Sequence, residues 1–178
     1  MTRPASIDGP RLRLRPVVLD DAAYIHALRT DARYNAHLSP VAGGEDAQRQ
    51  WITRYLEREA QGSEIYFVIE RRSDGQRCGV VRLYDITERQ FTWGSWILDE
   101  NKPHKAALES AVLIYQIGFD YLQKQKSVFD VRRDNAHTLS FHRRFGAMET
   151  GSDEMNIYFE YPRETFFADL PRYQRLLS

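Results

Sequence analysis

Three strand-like segments follow one another between residues 65 and 98, and short polar links join them. Residues 65–71 and 76–86 are rich in Val, Ile, Leu and aromatic residues, and the link Ser73-Asp74-Gly75 between them is typical of a tight turn. The third segment, residues 90–98, alternates aromatic with other side chains in Gln-Phe-Thr-Trp-Gly-Ser-Trp-Ile-Leu. Because links this short join antiparallel neighbours, the sequence predicts a three-stranded antiparallel meander.

The elements on either side of the meander are predicted from hydrophobic periodicity and end signals. Before it, the strand Arg11–Arg15 precedes two helices, from Asp20-Asp21 to Thr30 and from Glu45 to Ala60, which an exposed loop at residues 35–44 separates. After it come a helix over Ala106–Gln123, a strand over Ser127–Arg132, a helix over Ala136–Phe145, a strand over Met155–Tyr161 and a helical tail over Arg163–Ser178. The chain is therefore predicted to be α+β, with the strands 90–98 and 127–132 parallel and joined by a right-handed crossover.

The charge balance argues against one broad class of partner. The 178 residues carry 25 Lys and Arg against 25 Asp and Glu, whereas proteins that bind nucleic acid favour strongly basic surfaces. The N-terminus lacks an apolar signal segment, and no run approaches the roughly 18 apolar residues of a membrane helix. We expect one domain over residues 1–178, located in the cytoplasm, with neither nucleic acid nor a membrane as partner.

Cysteine and histidine give no indication of a disulfide or a metal site. Cys78 is the only cysteine, and its apolar, strand-like surroundings predict a buried thiol. The five histidines are scattered without the spacing of zinc ligands. We therefore expect no metal.

The most distinctive motif is Asn135-Ala-His-Thr-Leu-Ser-Phe-His-Arg-Arg-Phe-Gly146-Ala. Its Asn, short helix, basic pair and glycine after an aromatic residue resemble the corresponding segment of the GNAT acetyltransferases. The opening Arg-Leu-Arg-Leu-Arg-Pro, followed by Asp20-Asp21, is similar to the start of the branch that includes ribosomal-protein and small-amine acetyltransferases. Together with the order of elements, the resemblance covers nearly the whole chain.

This resemblance implies an acetyl-CoA-dependent N-acetyltransferase with the GNAT fold. That fold is a mixed, mostly antiparallel central sheet, here of six to seven strands flanked by four or five helices and splayed between the fourth and fifth strands, residues 90–98 and 127–132. In the family the pantetheine arm of acetyl-CoA lies in the splay and bonds to main-chain groups, which here belong to Trp96, Ile97 and Leu98. Such donors stabilise the oxyanion that develops as the amine attacks.

Two further positions bear on the splay. Asn135 matches a family asparagine that contacts the arm of the coenzyme, and its alternative role is a helix N-cap. Gly94 marks either a bulge that opens the splay or a plain strand glycine.

The family binds the pyrophosphate with a loop of the type (Arg/Gln)-x-x-Gly-x-(Gly/Ala) at the start of the long central helix. Lys102 falls at its basic position and Ala107 at its last small position, but Lys105 stands where glycine is expected. Main-chain N–H groups at a helix start bind phosphate without side-chain help. The resemblance implies a pyrophosphate cradle, the alternative being a solvated turn, and its residues are Lys102, His104, Lys105, Ala106 and Ala107.

Many members of the family carry a tyrosine that protonates the leaving thiolate, and that position is His142 here. The ordinary pKa of histidine, about 6.5, lies below that of a thiol, so an imidazolium can serve as the acid. The alternative is a histidine on a polar helix face. The neighbouring Phe141 has no hydroxyl and cannot substitute.

The acceptor side of the site is less sharply indicated. The general base is left open among Asp85, Glu88, Glu100 and Asp130. Asp130 alternates with Phe129 and Val131 and so faces the acceptor cleft or a salt bridge. Trp93 and Trp96 differ by three positions, which predicts opposite sheet faces, and Trp93 is expected to contact the acceptor.

The favoured acceptor is the primary amine of a nucleotide-linked amino sugar, because Trp93-Gly-Ser-Trp-Ile and the segment from Val128 to Gly146 look similar to acetyltransferases of surface-polysaccharide pathways. The alternatives are ribosomal-protein or other protein N-termini, and an acetyl-CoA-binding regulatory module with weakened catalysis. A monomer or a homodimer is expected from the family.

Overall fold

One mixed sheet organises the molecule. The computed structural model describes residues 5–38 and 41–178, and its eight strands lie in the order β1-β2-β3-β4-β5-β6-β8-β7. The strands are β1 Ile7–Asp8, β2 Leu12–Pro16, β3 Ile65–Arg71, β4 Arg77–Tyr84, β5 Gln90–Leu98, β6 Lys126–Arg132, β7 Met148–Ser152 and β8 Asn156–Pro162. The helices are α1 Ala22–Thr30, α2 Glu45–Ala60, α3 Ala106–Gln116, α4 Ala136–Phe145 and α5 Arg163–Leu177.

The predicted meander and the predicted parallel pair are both confirmed. β3, β4 and β5 pair antiparallel in sequence, and β5 pairs parallel with β6. The remaining strand pairs of the described chain are antiparallel. The sheet is therefore mostly antiparallel, with its single parallel junction near the middle.

Helices cover both faces of the central strands. Tyr66, Val68, Val80 and Ile97 point to the face that α1 and α2 cover, where they pack with residues such as Ile25 of α1 and Tyr55 of α2. Phe67, Val81, Trp93 and other alternate residues point to the opposite face, which α3, α4 and α5 cover. Strand β3 is buried on both sides over Ile65–Ile69, which explains its continuous apolar run.

Three details differ from the sequence-based expectation. Strands β1 and β7 were not expected: β1 has two residues, and every residue of β7 is exposed, so neither carries a hydrophobic pattern. Helix α3 ends at Gln116 and continues as a wider π-type turn over Ile117–Tyr121. The predicted helical tail is confirmed as α5, which contains Pro171 and buries Phe166, Tyr173 and Leu177.

Other local expectations are confirmed. Cys78 is buried and free. Asn135 caps α4, and Gly146 ends it with φ of 113°. None of the helices within 5–38 and 41–178 is long and apolar enough to cross a bilayer. Ser39 and Pro40, in the expected loop at 35–44, lie outside the described residues.

Candidate active site

Strands β5 and β6 separate after a short contact. Among the described residues they pair only as Gln90↔Lys126 and Phe91↔Ser127, and further along a cavity of about 350 Å³ lies between them. We call it the β5–β6 cavity. Its wall contains residues 93–98 of β5 and residues 129–131 of β6, so main-chain groups at this edge of β5 are left for a ligand or for water. This pairing is compatible with the predicted splay.

A bulge in β5 shapes the wall of this cavity. Arg82 of β4 is opposite Gly94, whereas Val80 is opposite Ile97, so β5 has one residue more than β4 over this stretch. Ser95 lies in the bulge and has a positive φ of 48°. A bulge lies where Gly94 suggested one, but the positive φ belongs to its neighbour.

The bulge overturns the expectation that Trp93 and Trp96 lie on opposite faces. Their ring centroids are 5.1 Å apart, and both rings pack with the core beneath α3 and α4. The extra residue shifts the alternation by one position, which returns Trp96 to the face of Trp93. Both indoles therefore line the same side of the β5–β6 cavity.

Hydrogen bonds to α3 hold the two indoles. The Trp93 N–H donates to the Tyr115 hydroxyl at 3.1 Å, and the Trp96 N–H donates to Ser110 Oγ at 3.1 Å. Ser110 is fully buried and donates to the Ala107 carbonyl at 3.2 Å. The wall of the cavity is thereby tied to the first turns of α3.

The start of α3 has free main-chain donors. Lys105 is its N-cap, and no side chain caps the helix. Within residues 5–38 and 41–178, no hydrogen-bond acceptor meets the N–H groups of Ala106, Ala107 and Leu108. Free N–H groups at a helix start suit a phosphate.

The position where the family motif has glycine does use a glycine-like conformation. Lys105 has φ of 63° and ψ of 20°, in the left-handed region. Such a conformation costs a non-glycine residue roughly 1–2 kcal/mol. Lys105 thus adopts the backbone conformation that glycine would adopt, so the turn is kept although the motif's glycine is absent.

The basic side chains of this turn are unevenly available. Lys102 and His104 are exposed, whereas the Lys105 ammonium donates to the Leu176 carbonyl of α5. The turn itself is held by Asp99, which accepts hydrogen bonds from the Asn101 N–H at 2.8 Å and from the Tyr24 hydroxyl at 2.7 Å.

A second cavity, of about 400 Å³, lies next to the start of α3. We call it the α3–α4–α5 cavity. Lys105, Ala107, Phe141, Arg144 and Arg172 are among its lining residues. The Phe141 ring, which lines this cavity, lies 5.1 Å from the Trp96 ring, which lines the β5–β6 cavity. The contact between the two rings therefore lies between the two cavities.

Asn135 and His142 bring α4 to the β5–β6 cavity. Asn135 Oδ1 accepts from the Thr138 N–H at 3.3 Å, so the N-cap role is confirmed and its amide donors stay available. His142 is 4% exposed, and its closest ring contact is Phe129, with centroids 4.5 Å apart. Its Nδ1 is buried and has no hydrogen-bond partner among the residues that the structure describes.

The surroundings of His142 determine its charge. Burial in this aromatic environment lowers the pKa of His142 to about 3. The ring is therefore neutral at pH 7, and a neutral imidazole is a far weaker acid than the imidazolium that the sequence suggested. A catalytic role for His142 stays a prediction, in which the neutral form must act.

One wall of the cavity had no signal in the sequence. Arg33, Tyr34, His37 and Leu38, within the 31–38 segment that follows α1, line the β5–β6 cavity. Tertiary contacts hold them: Arg33 pairs with Glu100 at 3.1 Å, Tyr34 accepts from the Glu100 N–H at 3.1 Å, and His37 Nδ1 lies 3.2 Å from Asp134 Oδ1. The missed residues of the cavity also include Ser95, Phe129, Val131, His137 and Thr138.

Asp130 alone of the four candidate bases lines the cavity. Glu100 is bound to Arg33, and Asp85 takes φ of 48° at the end of β4. Asp130 is exposed, and no ion pair or hydrogen bond engages it within the described residues. A free carboxylate is thus available beside the bulge.

A larger cavity, of about 660 Å³, lies between α3, α5 and the β1–β2 turn. Its buried carboxylate, Glu109, accepts from the main-chain N–H groups of Arg11 at 2.9 Å and Leu12 at 2.6 Å. Those bonds hold the β1–β2 turn against α3. The smaller β5–β6 cavity, where strand pairing is interrupted, is the stronger candidate for chemistry.

Comparison with known proteins agrees with this geometry. A family model for the GNAT acetyltransferase domain matches residues 11–148. The nucleotide-linked sugar GNAT FdhC is 37% identical over 99% of both chains, with a TM-score of 0.88. The chain belongs to the GNAT acetyltransferases. It is an acetyl-CoA-dependent N-acetyltransferase.

More distant GNAT structures share the fold. A spermidine N-acetyltransferase from Vibrio cholerae, solved with CoA and spermine, is 17% identical over 89% of this chain and 99% of its own, with a TM-score of 0.79. A ribosomal-protein-S5-alanine acetyltransferase from Vibrio fischeri is 15% identical over 92% of this chain and 99% of its own, with a TM-score of 0.75. The comparison with curated protein sequences gave no match. In the described ranges no group of three or more His, Cys, Asp or Glu side chains could hold a metal ion.

Proposed function

We propose that this GNAT enzyme acetylates the amine of a nucleotide-linked amino sugar. The observation that carries the proposal is the lining of the β5–β6 cavity, which includes the Asp130 carboxylate, unpaired within the described residues, and the Arg33 guanidinium, which is also paired with Asp31 and Glu100. An amino sugar joined to a diphosphate offers the complementary pattern, a cationic amine and a distant anion. The 37% identity with FdhC over nearly the full length supports the same acceptor class.

The proposed coenzyme path runs from the β5–β6 cavity to the start of α3. Bound acetyl-CoA supplies an acetyl group activated as a thioester. Main-chain groups of Trp96, Ile97 and Leu98, at the edge of β5 that β6 leaves unpaired, would bond the pantetheine amides and the thioester carbonyl. Asn135 would add an amide donor from α4, since its Oδ1 alone is used by the cap.

The diphosphate of the coenzyme is proposed to lie on the first turn of α3. The free N–H groups of Ala106 and Ala107 support this, and Lys102 and His104 are exposed beside them. The Lys105 ammonium would have to leave the Leu176 carbonyl to join them. Beyond this turn, Arg144 and Arg172 line the α3–α4–α5 cavity. Their guanidinium groups are proposed to bind the 3′-phosphate of the coenzyme.

On the acceptor side, Asp130 is proposed to hold the amine. Trp93 is proposed to form an apolar part of the acceptor wall, because its N–H is already bonded to Tyr115. The enzyme is proposed to act in the cytoplasm, as a monomer or homodimer with one domain.

His142 is proposed to donate a hydrogen bond from its neutral ring to the departing sulfur. We expect His142→Phe, which keeps the aromatic volume, to lower kcat by about tenfold, the value of one hydrogen bond. Because the pKa of His142 is about 3, we expect the pH profile of kcat between pH 5 and 9 to keep its shape in the variant. Steady-state kinetics over that range, with acetyl-CoA affinity from calorimetry, provide the measurement. A limb of the profile that vanishes in His142→Phe would mean that the imidazolium takes part.

The acceptor is tested with a panel of amines and thiol release from acetyl-CoA. We expect kcat/KM for a dTDP-linked amino sugar to exceed that for spermidine and for a peptide with N-terminal alanine by at least about tenfold. The same sugar without its nucleotide is the matched control, and the Arg33 guanidinium in the cavity predicts a lower kcat/KM for it. Turnover of the peptide without turnover of the sugar would make the acceptor choice wrong. CoA binding without turnover of any amine would favour a regulatory module.

A further inference from the structure

Three residues form a row across the sheet on the face that carries α1 and α2. Tyr84 ends β4, Gly94 lies in β5 and Asp130 lies in β6. The Tyr84 hydroxyl is 3.2 Å from the point where a Cβ on Gly94 would lie, so Tyr84 reaches over the glycine. Asp130 is on the same face, because its neighbours Phe129 and Val131 belong to the core on the opposite side.

Two members of this row line the β5–β6 cavity beside the bulge. They are Gly94 and Asp130, and the bulge begins at the residue after Gly94. Because Gly94 has no side chain, the Tyr84 hydroxyl reaches the edge of the cavity there. An amine that lies over Gly94 and beside Asp130 would be close to this hydroxyl.

The ring of Tyr84 is held by a neighbouring side chain, whereas its hydroxyl makes no hydrogen bond to the described residues. The Arg82 guanidinium stacks over its ring at 4.3 Å from the centroid. Within the described chain the hydroxyl has no hydrogen-bond partner, and it is not sealed from solvent. By contrast, the hydroxyls of Tyr24, Tyr115 and Tyr161 are all hydrogen-bonded.

The electrostatic surroundings keep this hydroxyl protonated. Burial, and after it the negative charge of Asp130, raises the pKa of Tyr84. A protonated hydroxyl can accept one hydrogen bond while it donates another. Tyr84 can therefore hydrogen-bond to an amine at the edge of the cavity that Asp130 lines.

We propose that Tyr84 and Asp130 together receive the acceptor amine, with Gly94 leaving room for the tyrosine hydroxyl at the edge of the cavity. The amine nitrogen forms a bond to the acetyl carbon, and the bond from that carbon to sulfur breaks. The ammonium gives up one proton to solvent before the attack, and the nitrogen then loses a second proton to the Asp130 carboxylate while the Tyr84 hydroxyl is hydrogen-bonded to it. Sulfur leaves as a thiolate and takes up that proton through solvent, so the products are the amide and the CoA thiol. This inference rests on the proposed function for its reaction, but not on the identity of the amine.

The test uses the full chain with Tyr84→Phe, Asp130→Asn and the double variant. The amine is whichever of the dTDP-linked amino sugar, spermidine or the alanine peptide the wild type turns over, so a wrong acceptor class does not affect the result. We expect each single change to lower kcat/KM for the amine by about tenfold to a hundredfold, and the double change to cost little more than the worse single one. The Kd of CoA and the melting temperature should change little.

Binding gives a readout that does not depend on turnover. We expect both single variants to weaken binding of that same amine to the CoA complex at least about fivefold in calorimetry, since each removes one polar partner. Tyr121→Phe is the matched control, because Tyr121 is 55% exposed and lines a different cavity. The proposal is overturned if Tyr84→Phe stays within about twofold of wild type in both assays, if the two losses multiply in the double variant, or if Tyr84→Phe weakens CoA as much as the amine.

Discussion

Replacing Gly79 by alanine is expected to destabilise the protein by about 3 kcal/mol and to weaken CoA binding. Gly79 lies in β4 opposite Leu98, and a Cβ there would be 2.2 Å from the Ile97 carbonyl oxygen. The obstacle is main chain, which cannot rotate aside as a side chain would. To make room, β5 must move away from β4 at the end of the bulge, where Ile97 and Leu98 are proposed to bond the pantetheine arm.

Thermal unfolding and calorimetry with CoA measure the two effects. Gly151→Ala is the matched control, because Gly151 also lies in a strand and a Cβ there meets no atom within 4 Å. We expect the control to stay within about 0.5 kcal/mol of wild type. A Gly79→Ala protein with unchanged melting temperature and CoA affinity would refute the close approach of β4 to the bulge.

The second large effect is expected from Asp21→Asn, at about 3 kcal/mol of stability. Asp21 is 1% exposed and accepts hydrogen bonds from Arg15 at 2.8 Å, from the Val18 N–H at 2.9 Å and from Arg77 at 3.3 Å. The amide keeps the shape but loses the charge that these donors face. Because Arg15 and Arg77 are partly exposed, the expected loss stays at the lower end for buried ion pairs.

The pH dependence of stability follows from the same contacts. Burial alone would raise the pKa of Asp21, but the hydrogen bonds from Arg15 and Val18 and the charge of Arg15 outweigh it and lower the pKa. A carboxyl group whose pKa is lowered by folding stabilises the folded protein. Its full contribution is present when the pH is above the pKa of an ordinary aspartate, and it is lost as the pH falls through the folded-state pKa.

We therefore expect the difference between wild type and Asp21→Asn to shrink at acid pH, measured by urea unfolding from pH 7 downwards. The exposed neighbour supplies the control, since Asp20→Asn should change stability little at any pH. A constant difference across the acid range would show that the charge of Asp21 contributes nothing.

Local signals explain which parts of the fold were predictable. The meander was predictable from apolar runs between polar turns. Helix α4 was predictable because Asn135 caps its start and Gly146 caps its end. Strand β7 carries no such signal, because all its residues are exposed and its partner, β8, supplies the pairing. Local patterns report burial and caps, and β7 has neither.

The candidate site was predictable in part. The expected residues Trp93, Trp96, Ile97, Leu98, Asp130, Asn135 and His142 all line the β5–β6 cavity. Arg33, Tyr34 and His37 were missed, since contacts with Glu100 and Asp134 bring them there. The prediction of the sheet face on which Trp96 lies was wrong, because strict alternation cannot anticipate an extra residue at Ser95.

By itself, the sequence determined the order of the elements other than β1 and β7, the family and the strands from which the site is built, because periodicity, caps and the 135–146 motif are local properties of the chain. The tertiary structure decided the bulge at Ser95, the neutral state of His142 and the row of Tyr84, Gly94 and Asp130. These depend on strand register and on burial by distant residues. Neither quantity is carried by any one segment of the chain.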